Sequence, residues 1–287
     1  MPVYLRIVPT FERAGVSLAY DVAGPEGSPA LVLLHGITQA RSTWHDIGAD
    51  LAADHRVYAL DHRGHGASSK VLGTYDIAHW AADLVAFLEE VVGEAAFLVG
   101  HSLGGVIAAE VAATRADLVR AVFLEDPPLF LFDPSELATT PLGIIFPLMR
   151  DSFRAMRDRA APLEDYIAAA GSAPALNGVG TMADVLGLDG VRRMGQASMD
   201  FDPEALTAAL EGASATYDPT RPLGVPAGVL RADPHVTAAF RPQDEARFLA
   251  ANPSATVELL PGVSHLIHDE QATLFLNRVR TFLLAHP

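Results

Sequence analysis

The stretch VGHSLGGV, residues 99–106, sets a lone serine, Ser102, between Gly100 and Gly104. An inert glycine-rich turn would account for the composition, but the flanks favour something more specific. AAFLV (95–99) leads in as a short apolar run, the mark of a buried strand, and LGGVIAAEVAA (103–113) leads out as a helix. Strand, Gly-x-Ser-x-Gly, helix is the context of a nucleophile elbow. Such a turn strains the serine and needs glycine wherever a side chain would strike neighbouring backbone. The hydroxyl then projects near a helix N-terminus, whose free N–H groups favour negative charge.

Outward from this turn the chain alternates strands with helices. Apolar runs at ALVLLHG (30–36), RVYALDHRG (56–64), VRAVFLEDPP (119–128), PAGVLRADP (226–234) and ATVELLPG (255–262) predict strands. Helical periodicity covers about 42–53, 77–92, 103–114, 243–251 and 269–284. Alternation of this kind predicts an α/β fold, with a mostly parallel sheet flanked by helices. Segments 3–9 and 16–23 are expected to add an antiparallel pair at its edge. From 129 to 221 the rhythm breaks into helical stretches with no strand. That segment falls between two core strands, so it is expected to be an inserted helical cap (129–221) on a core of 1–128 and 222–287. Its place beyond the carboxyl end of a strand, where open α/β sheets bind ligands, fits a lid.

Composition narrows the function. Half of the 287 residues are hydrophobic, enough for a sizeable core, and none is cysteine, which excludes disulfides, thiolate metal sites and cysteine nucleophiles. The net charge of −15 opposes nucleic acid and anionic membranes as partners. No run approaches the ~18 apolar residues of a membrane helix, and the N-terminus lacks a secretory pattern, so a cytoplasmic setting is expected. The oligomeric state is left open, a homodimer included.

Four motifs together resemble the α/β-hydrolase family, in particular its cap-bearing, cofactor-independent serine esterases and lactonases. They are LLHGIT (33–38), YALDHRGHGASS (58–69), GHSLGG (100–105) and PGVSHLIHDE (261–270), in that order. The resemblance covers about 15–127 and 222–287 and implies the α/β-hydrolase fold, Ser102 as nucleophile and His265 as its base. It implies backbone N–H groups of Ile37 and Leu103 as the oxyanion hole, with no cofactor. Two aspartates end core strands and could orient the histidine. Asp233, after the insertion, holds the family's usual place and is preferred; Asp126 is the alternative acid.

Other histidines compete. His268 looks like surface at a helix start, His101 should point away from the serine, and His35 should tie loops together. The pair His62 and His65 fits a tight turn better than a metal site, since no acidic third ligand lies at suitable spacing. GHGASSK lacks a phosphate-loop spacing, and RGHGASS lacks the third glycine of a dinucleotide fingerprint. A serine nucleophile requires an acyl substrate, because alkylation would leave a dead-end ether.

The expected activity is therefore hydrolysis of a neutral, largely apolar carboxylic ester or lactone through an acyl-enzyme. C–C bond hydrolysis and perhydrolysis are chemical siblings on the same triad, and a receptor-like binding protein is the alternative of another class. Phe130, Phe132, Met149, Tyr166 and Met194 are expected to line the substrate space, whereas the cap arginines, Arg150 to Arg159 and Arg192–Arg193, should face solvent.

Overall fold

The computed structural model describes residues 8–131, 133–212 and 217–287. Eight strands form one sheet: β1 (Thr10–Arg13), β2 (Val16–Ala23), β3 (Ala30–Leu34), β4 (Arg56–Leu60), β5 (Ala96–His101), β6 (Val119–Glu125), β7 (Ala227–Arg231) and β8 (Thr256–Leu259). Their spatial order is β1-β2-β4-β3-β5-β6-β7-β8. β1 and β2 pair antiparallel, as does β2 with β4; every later pairing is parallel. The antiparallel edge pair is thus present, but its first strand is β1 and not 3–9, of which 3–7 lie outside the described residues.

Helices cover both faces. α1 (His45–Leu51), after a 3-10 turn at Arg41–Trp44, and α11 (Ala272–Ala285) contribute to one apolar layer, with Trp44, Phe97, Phe123 and Phe275 at its centre. α2 (Ile77–Phe87) and α3 (Leu103–Thr114) pack into the other. α3 buries nine residues around its circumference, because it lies between sheet and outer helices. The central strands β3 and β5 are buried throughout, which explains their continuous apolar runs.

Between β6 and β7 come α4 (Pro134–Leu137), α5 (Pro141–Asp158), α6 (Leu163–Ser172), α7 (Met182–Asp200, kinked at Gly187) and α8 (Glu204–Leu210). After β7 follow α9 (Pro242–Ala251) and, beyond β8, the short α10 (Ile267–Glu270). The inserted helices are tied to the core through Asp202. Its amide donates to the Gly64 carbonyl at 2.7 Å, and its carboxylate accepts from the Tyr75 hydroxyl at 2.6 Å and from Arg157. No helix among the described residues is long and apolar enough to cross a membrane.

The sheet order positions the site. From β3 the chain steps to β4 on one side and then to β5 on the other, so the loops after β3 and β5 part at a topological switch point. Register does the rest. Leu34 lies opposite Gly100 and His101 opposite Glu125, so the segments beginning at His35, Ser102 and Asp126 leave the sheet side by side.

Candidate active site

Ser102 sits at φ 50°, ψ −116°, a conformation that costs a non-glycine residue of order 1–3 kcal/mol. It is held there by the surrounding backbone. Its amide donates to the Glu125 carbonyl at 2.9 Å, and its own carbonyl accepts from Gly105 and Val106 to start α3. A Cβ on Gly100 would lie 2.4 Å from the Gly104 carbonyl oxygen, and one on Gly104 2.2 Å from that of Leu34. The two glycines are required by close approach of backbone to backbone, as the turn pattern predicts.

The loop after β3 stands beside this elbow. Gln39 Oε1 accepts from the Gly36 amide at 2.8 Å, and Thr38 takes a positive φ of 66°. Among the described residues the amide N–H groups of Ile37 and Leu103 have no hydrogen-bond partner, and both residues border the cleft that contains Ser102. Two unpaired donors next to a strained hydroxyl can receive an oxyanion.

His35, His62 and His65 pack below this loop with ring centroids 4.3–6.1 Å apart. His35 accepts from the His62 amide at 3.2 Å, and His62 Nε2 donates to the His35 carbonyl at 3.1 Å. They join the β3 loop to the turn after β4. Burial pushes all three below the usual imidazole range, His62 to about 3 and His65 to about 4, so they are neutral. The same turn is pinned by Asp61, which accepts from the Arg41 amide and guanidinium and from the Ala67 amide.

The structure joins His265 to Asp126 and not to the preferred Asp233. His265 Nδ1 donates to Asp126 Oδ2 at 2.6 Å. Asp126 is fully buried, adopts φ 41°, and receives three further N–H groups, from Ala232, Ala239 and Phe240, at 2.7–3.2 Å. The segment leaving β7 therefore wraps the Asp126 carboxylate with its amides, and spends Asp233 elsewhere. Asp233 accepts from the amides of His235 and Gly262 at 2.8 Å each, which hold it below the usual carboxylate range and brace the loop after β8. The hydrogen bonds are the physical reason: the Asp233 carboxylate is occupied by the amides of its own turn and of the loop after β8, while the amides of 232, 239 and 240 close on Asp126.

His101 turns away from the cleft as expected. Its ring lies between Gln39 Oε1 (2.8 Å) and the His265 carbonyl oxygen (3.0 Å), and burial keeps it well below the usual imidazole range. His268 corrects the expectation of a surface residue. It is 2 % exposed, stacks against Trp44 at 4.4 Å, and donates through Nδ1 and its amide to the Glu125 carboxylate at 2.8–2.9 Å.

The cleft at Ser102 opens to solvent and, counted with the open solvent at its mouth, holds about 510 Å³ of empty space. Ile37, Tyr75, Trp80, Leu103 and Pro128 of the core face Leu131, Leu137, Leu142, Phe146 and Ala209 of the insertion. The Tyr75 hydroxyl is engaged by Asp202, and Trp80 Nε1 donates to the Arg63 carbonyl at 3.1 Å, so the walls are apolar.

Of the residues expected to line this space, the four that are described stand elsewhere. Phe130 is buried beneath the Arg247 guanidinium, 4.0 Å from its ring; Met149 packs on the core layer; Tyr166 is buried on α6; and Met194 is half-buried on α7. Phe132 lies outside the described residues. None of the cap arginines borders the cleft, though not all face solvent: Arg154 forks onto Glu204 at 2.7–2.8 Å, Arg159 meets Asp165 and Arg193 meets Asp46, while Arg157 turns onto buried Asp202 and the Phe201 carbonyl.

Comparisons with known proteins agree with this architecture. The chain is 40 % identical over 111 residues to epoxide hydrolase A of Mycobacterium tuberculosis, a match covering 38 % of this chain and 34 % of that protein. Matches to the first curated relatives span about a third of those proteins' length. Among solved structures, a hydrolase from Pseudomonas aeruginosa PA01 superposes with TM-score 0.71 at 21 % identity, over 97 % of this chain and 99 % of the other. The enol-lactonase from Burkholderia xenovorans LB400 superposes with TM-score 0.69 at 23 % identity, over 96 % and 100 %. At these identities the superpositions speak for the fold. The sequence profile of the alpha/beta hydrolase family matches residues 31–278, most of the chain, and the protein belongs to that family.

Proposed function

We propose that this protein is a serine hydrolase of neutral, largely apolar carboxylic esters or lactones, acting through an acyl-enzyme. The observation that carries the proposal is one apolar cleft bordered by a strained serine and two unpaired N–H donors, together with a histidine that is bound to a buried aspartate and whose carbonyl oxygen lies 3.0 Å from His101, the residue before that serine.

In this reading Asp126 fixes the His265 tautomer by accepting Nδ1–H, which leaves Nε2 free to take the Ser102 proton. Ser102 Oγ attacks the acyl carbon, and the carbonyl electrons move onto an oxygen facing the N–H groups of Ile37 and Leu103. Each such donor contributes about 3–4 kcal/mol to the transition state. His265 then passes its proton to the leaving alkoxide, which departs as an alcohol or, from a lactone, stays attached as a hydroxyl. Water activated by the same nitrogen attacks the acyl-enzyme, releases the acid and returns the proton to Ser102.

Apolar walls and outward arginines support a neutral acyl group, and the net charge of −15 disfavours anionic substrates further. Epoxide opening, the activity named for one relative, would alkylate Ser102 and leave an ether with no carbonyl for water to attack. A binding-only protein has no need of a strained serine or of a carboxylate with four donors, so these features weigh for catalysis.

Labelling with a fluorophosphonate tests the reading. Native protein should react at Ser102 and heated protein should not. Hydrolysis should then be measured across p-nitrophenyl esters of rising chain length, an aromatic lactone and a dicarboxylate monoester. Preference for the charged monoester, or a serine inert to the probe, would overturn it.

A further inference from the structure

The β6 strand ends in two consecutive acids, and each takes one histidine of the same loop. Asp126, just past the strand, holds His265, while Glu125, the last residue of β6, holds His268. Glu125 is fully buried and has no solvent to satisfy it. A buried charge is costly unless paired, and breaking such a pair is strongly destabilising. His268 meets that demand on three sides: Nδ1 and the backbone amide donate to Glu125, Nε2 reaches Thr43 Oγ1 at 2.9 Å, and Asp269 lies 3.5 Å from Nε2.

The loop between the two histidines is clamped at several points. The Ser264 amide and hydroxyl donate to Glu270, the His265 carbonyl oxygen lies 3.0 Å from His101 Nε2, and the His268 amide is fixed on Glu125. The His101 ring stands between the pair, 4.7 Å from the His265 centroid and 5.1 Å from that of His268. From His101, Gln39 continues to the Gly36 amide and to Thr43. His101 and Gln39 thus stand between the histidine loop and the loop that presents Ile37, a neutral His101 donating to one of the two oxygens that flank its ring.

We propose that Glu125 and His268 are positioning residues for the base: a second carboxylate–histidine pair that fixes the His265 loop and keeps the charge beside it balanced. This rests on the reading of His265 as general base. The acidic groups facing His268 are Glu125 from β6 and Asp269 from α10, with neutral His101 from β5, Thr43 and Trp44 from the 3-10 turn and Phe275 from α11 completing its shell. Facing His265 are Asp126 and the His101 ring. Burial alone would lower His268, but Glu125 and then Asp269 raise it to about 9, so it carries its charge at neutral pH.

The test compares His268→Gln, Glu125→Gln and the double variant, with rates normalised to the fraction of Ser102 titrated by fluorophosphonate so that misfolded protein does not count. His268→Gln leaves Glu125 without its cation, which favours protonated His265. The acid limb of kcat/KM should rise by roughly half a pH unit or more. kcat should fall at least about tenfold with KM nearly constant, because neither residue borders the cleft. Glu125→Gln should not raise the limb, and the double variant should return it close to wild type while kcat stays low. A limb unmoved in His268→Gln, or both single variants moving it upward, would overturn the proposal. Imidazole nitrogen NMR of the wild-type protein gives a readout that needs no substrate: His268 should keep both protons through pH 8, and a neutral ring at pH 7.5 would refute the pair. If Ser102 fails to label or wild type shows no acid limb, the general-base reading fails instead, and NMR still decides the ion pair.

Discussion

Replacing Asp126 by Asn removes one charge and no volume, so it isolates what the carboxylate does for His265. In the wild type Oδ2 accepts His265 Nδ1–H at 2.6 Å and the Ala239 amide at 2.7 Å, and Oδ1 accepts the amides of Ala232 and Phe240. An Asn keeps its carbonyl toward the last two and turns its NH2 toward Nδ1. The imidazole must then accept at Nδ1 and carry its proton on Nε2, the nitrogen that should receive the serine proton. A wrong tautomer at this position is worth about 10⁴ in kcat, or about 5 kcal/mol of barrier. Stability should fall as well, by roughly 1–3 kcal/mol for the amide left facing the Ala239 N–H, a Tm loss of about 2–10 °C in a chain of this size. Asp233→Asn is the control. It sacrifices charge-assisted bonds to Gly262 and His235 in a half-exposed loop, and kcat should change less than about tenfold. Turnover of p-nitrophenyl butyrate, normalised to labelled Ser102, separates the two. The reasoning fails if Asp126→Asn keeps more than a tenth of wild-type kcat, or if Asp233→Asn is the more damaging change.

Ser102→Ala should abolish ester turnover, by roughly 10⁴-fold or more, while Tm stays nearly level because the backbone that holds φ 50° is unchanged and alanine keeps the same Cβ; a tenth of activity remaining would sink the nucleophile. Gly104→Ala should yield little folded protein or a Tm lower by about 10 °C or more, since the new Cβ meets the Leu34 carbonyl at 2.2 Å; normal melting would show that the elbow relaxes. Phe146→Ala widens the cleft wall, so kcat/KM should shift toward acyl chains longer by about two or more carbons; an unchanged chain-length profile would move the acyl site elsewhere. Stability against pH should be a dome. His62 and His65 are held below an ordinary imidazole, near 3 and 4, so the folded state binds fewer protons than the unfolded chain, and Tm should fall as pH drops from about 6.5 toward 4. His268, raised to about 9, contributes stability that is complete below about 6.5 and lost as pH climbs through 9. In His268→Gln the alkaline fall should disappear; a Tm flat from pH 4 to 9.5 in wild type would contradict both assignments.

Local chemistry made some of this legible before any coordinates. The α3 helix begins and ends where periodicity places it, 103–114, because glycine punctuation at the elbow fixes its start. The runs at β3, β4, β6, β7 and β8 overshoot the strands at their carboxyl ends by two to four residues, since the glycine or proline that punctuates each run stands beyond residues that already form loops. The cleft walls were not legible. Phe130 and Leu131 are adjacent and equally apolar, yet one packs under Arg247 and the other faces Ser102, a choice made by the path of the chain leaving β6.

The acid shows why composition alone could not decide. Asp126 and Asp233 both follow apolar strands, both precede proline, and both satisfy the chain order with Ser102 and His265. What separates them is strand position and a positive φ, neither of which a residue type encodes. A weaker signal did exist in the pairing of Glu125-Asp126 with His265-x-x-His268. Neighbouring side chains at the end of a strand point to opposite faces, so two consecutive acids cannot serve one imidazole. If either of them binds His265, the other lies buried on the far side of the same strand end and must be neutralised there. A second histidine one helical turn along the same loop is placed to do so. Nothing comparable stands beside Asp233, whose only nearby titratable neighbours in sequence are Arg231 and His235. Demand for a second partner, more than the identity of the first, is what distinguishes the acid that holds the base from the acid that braces a turn.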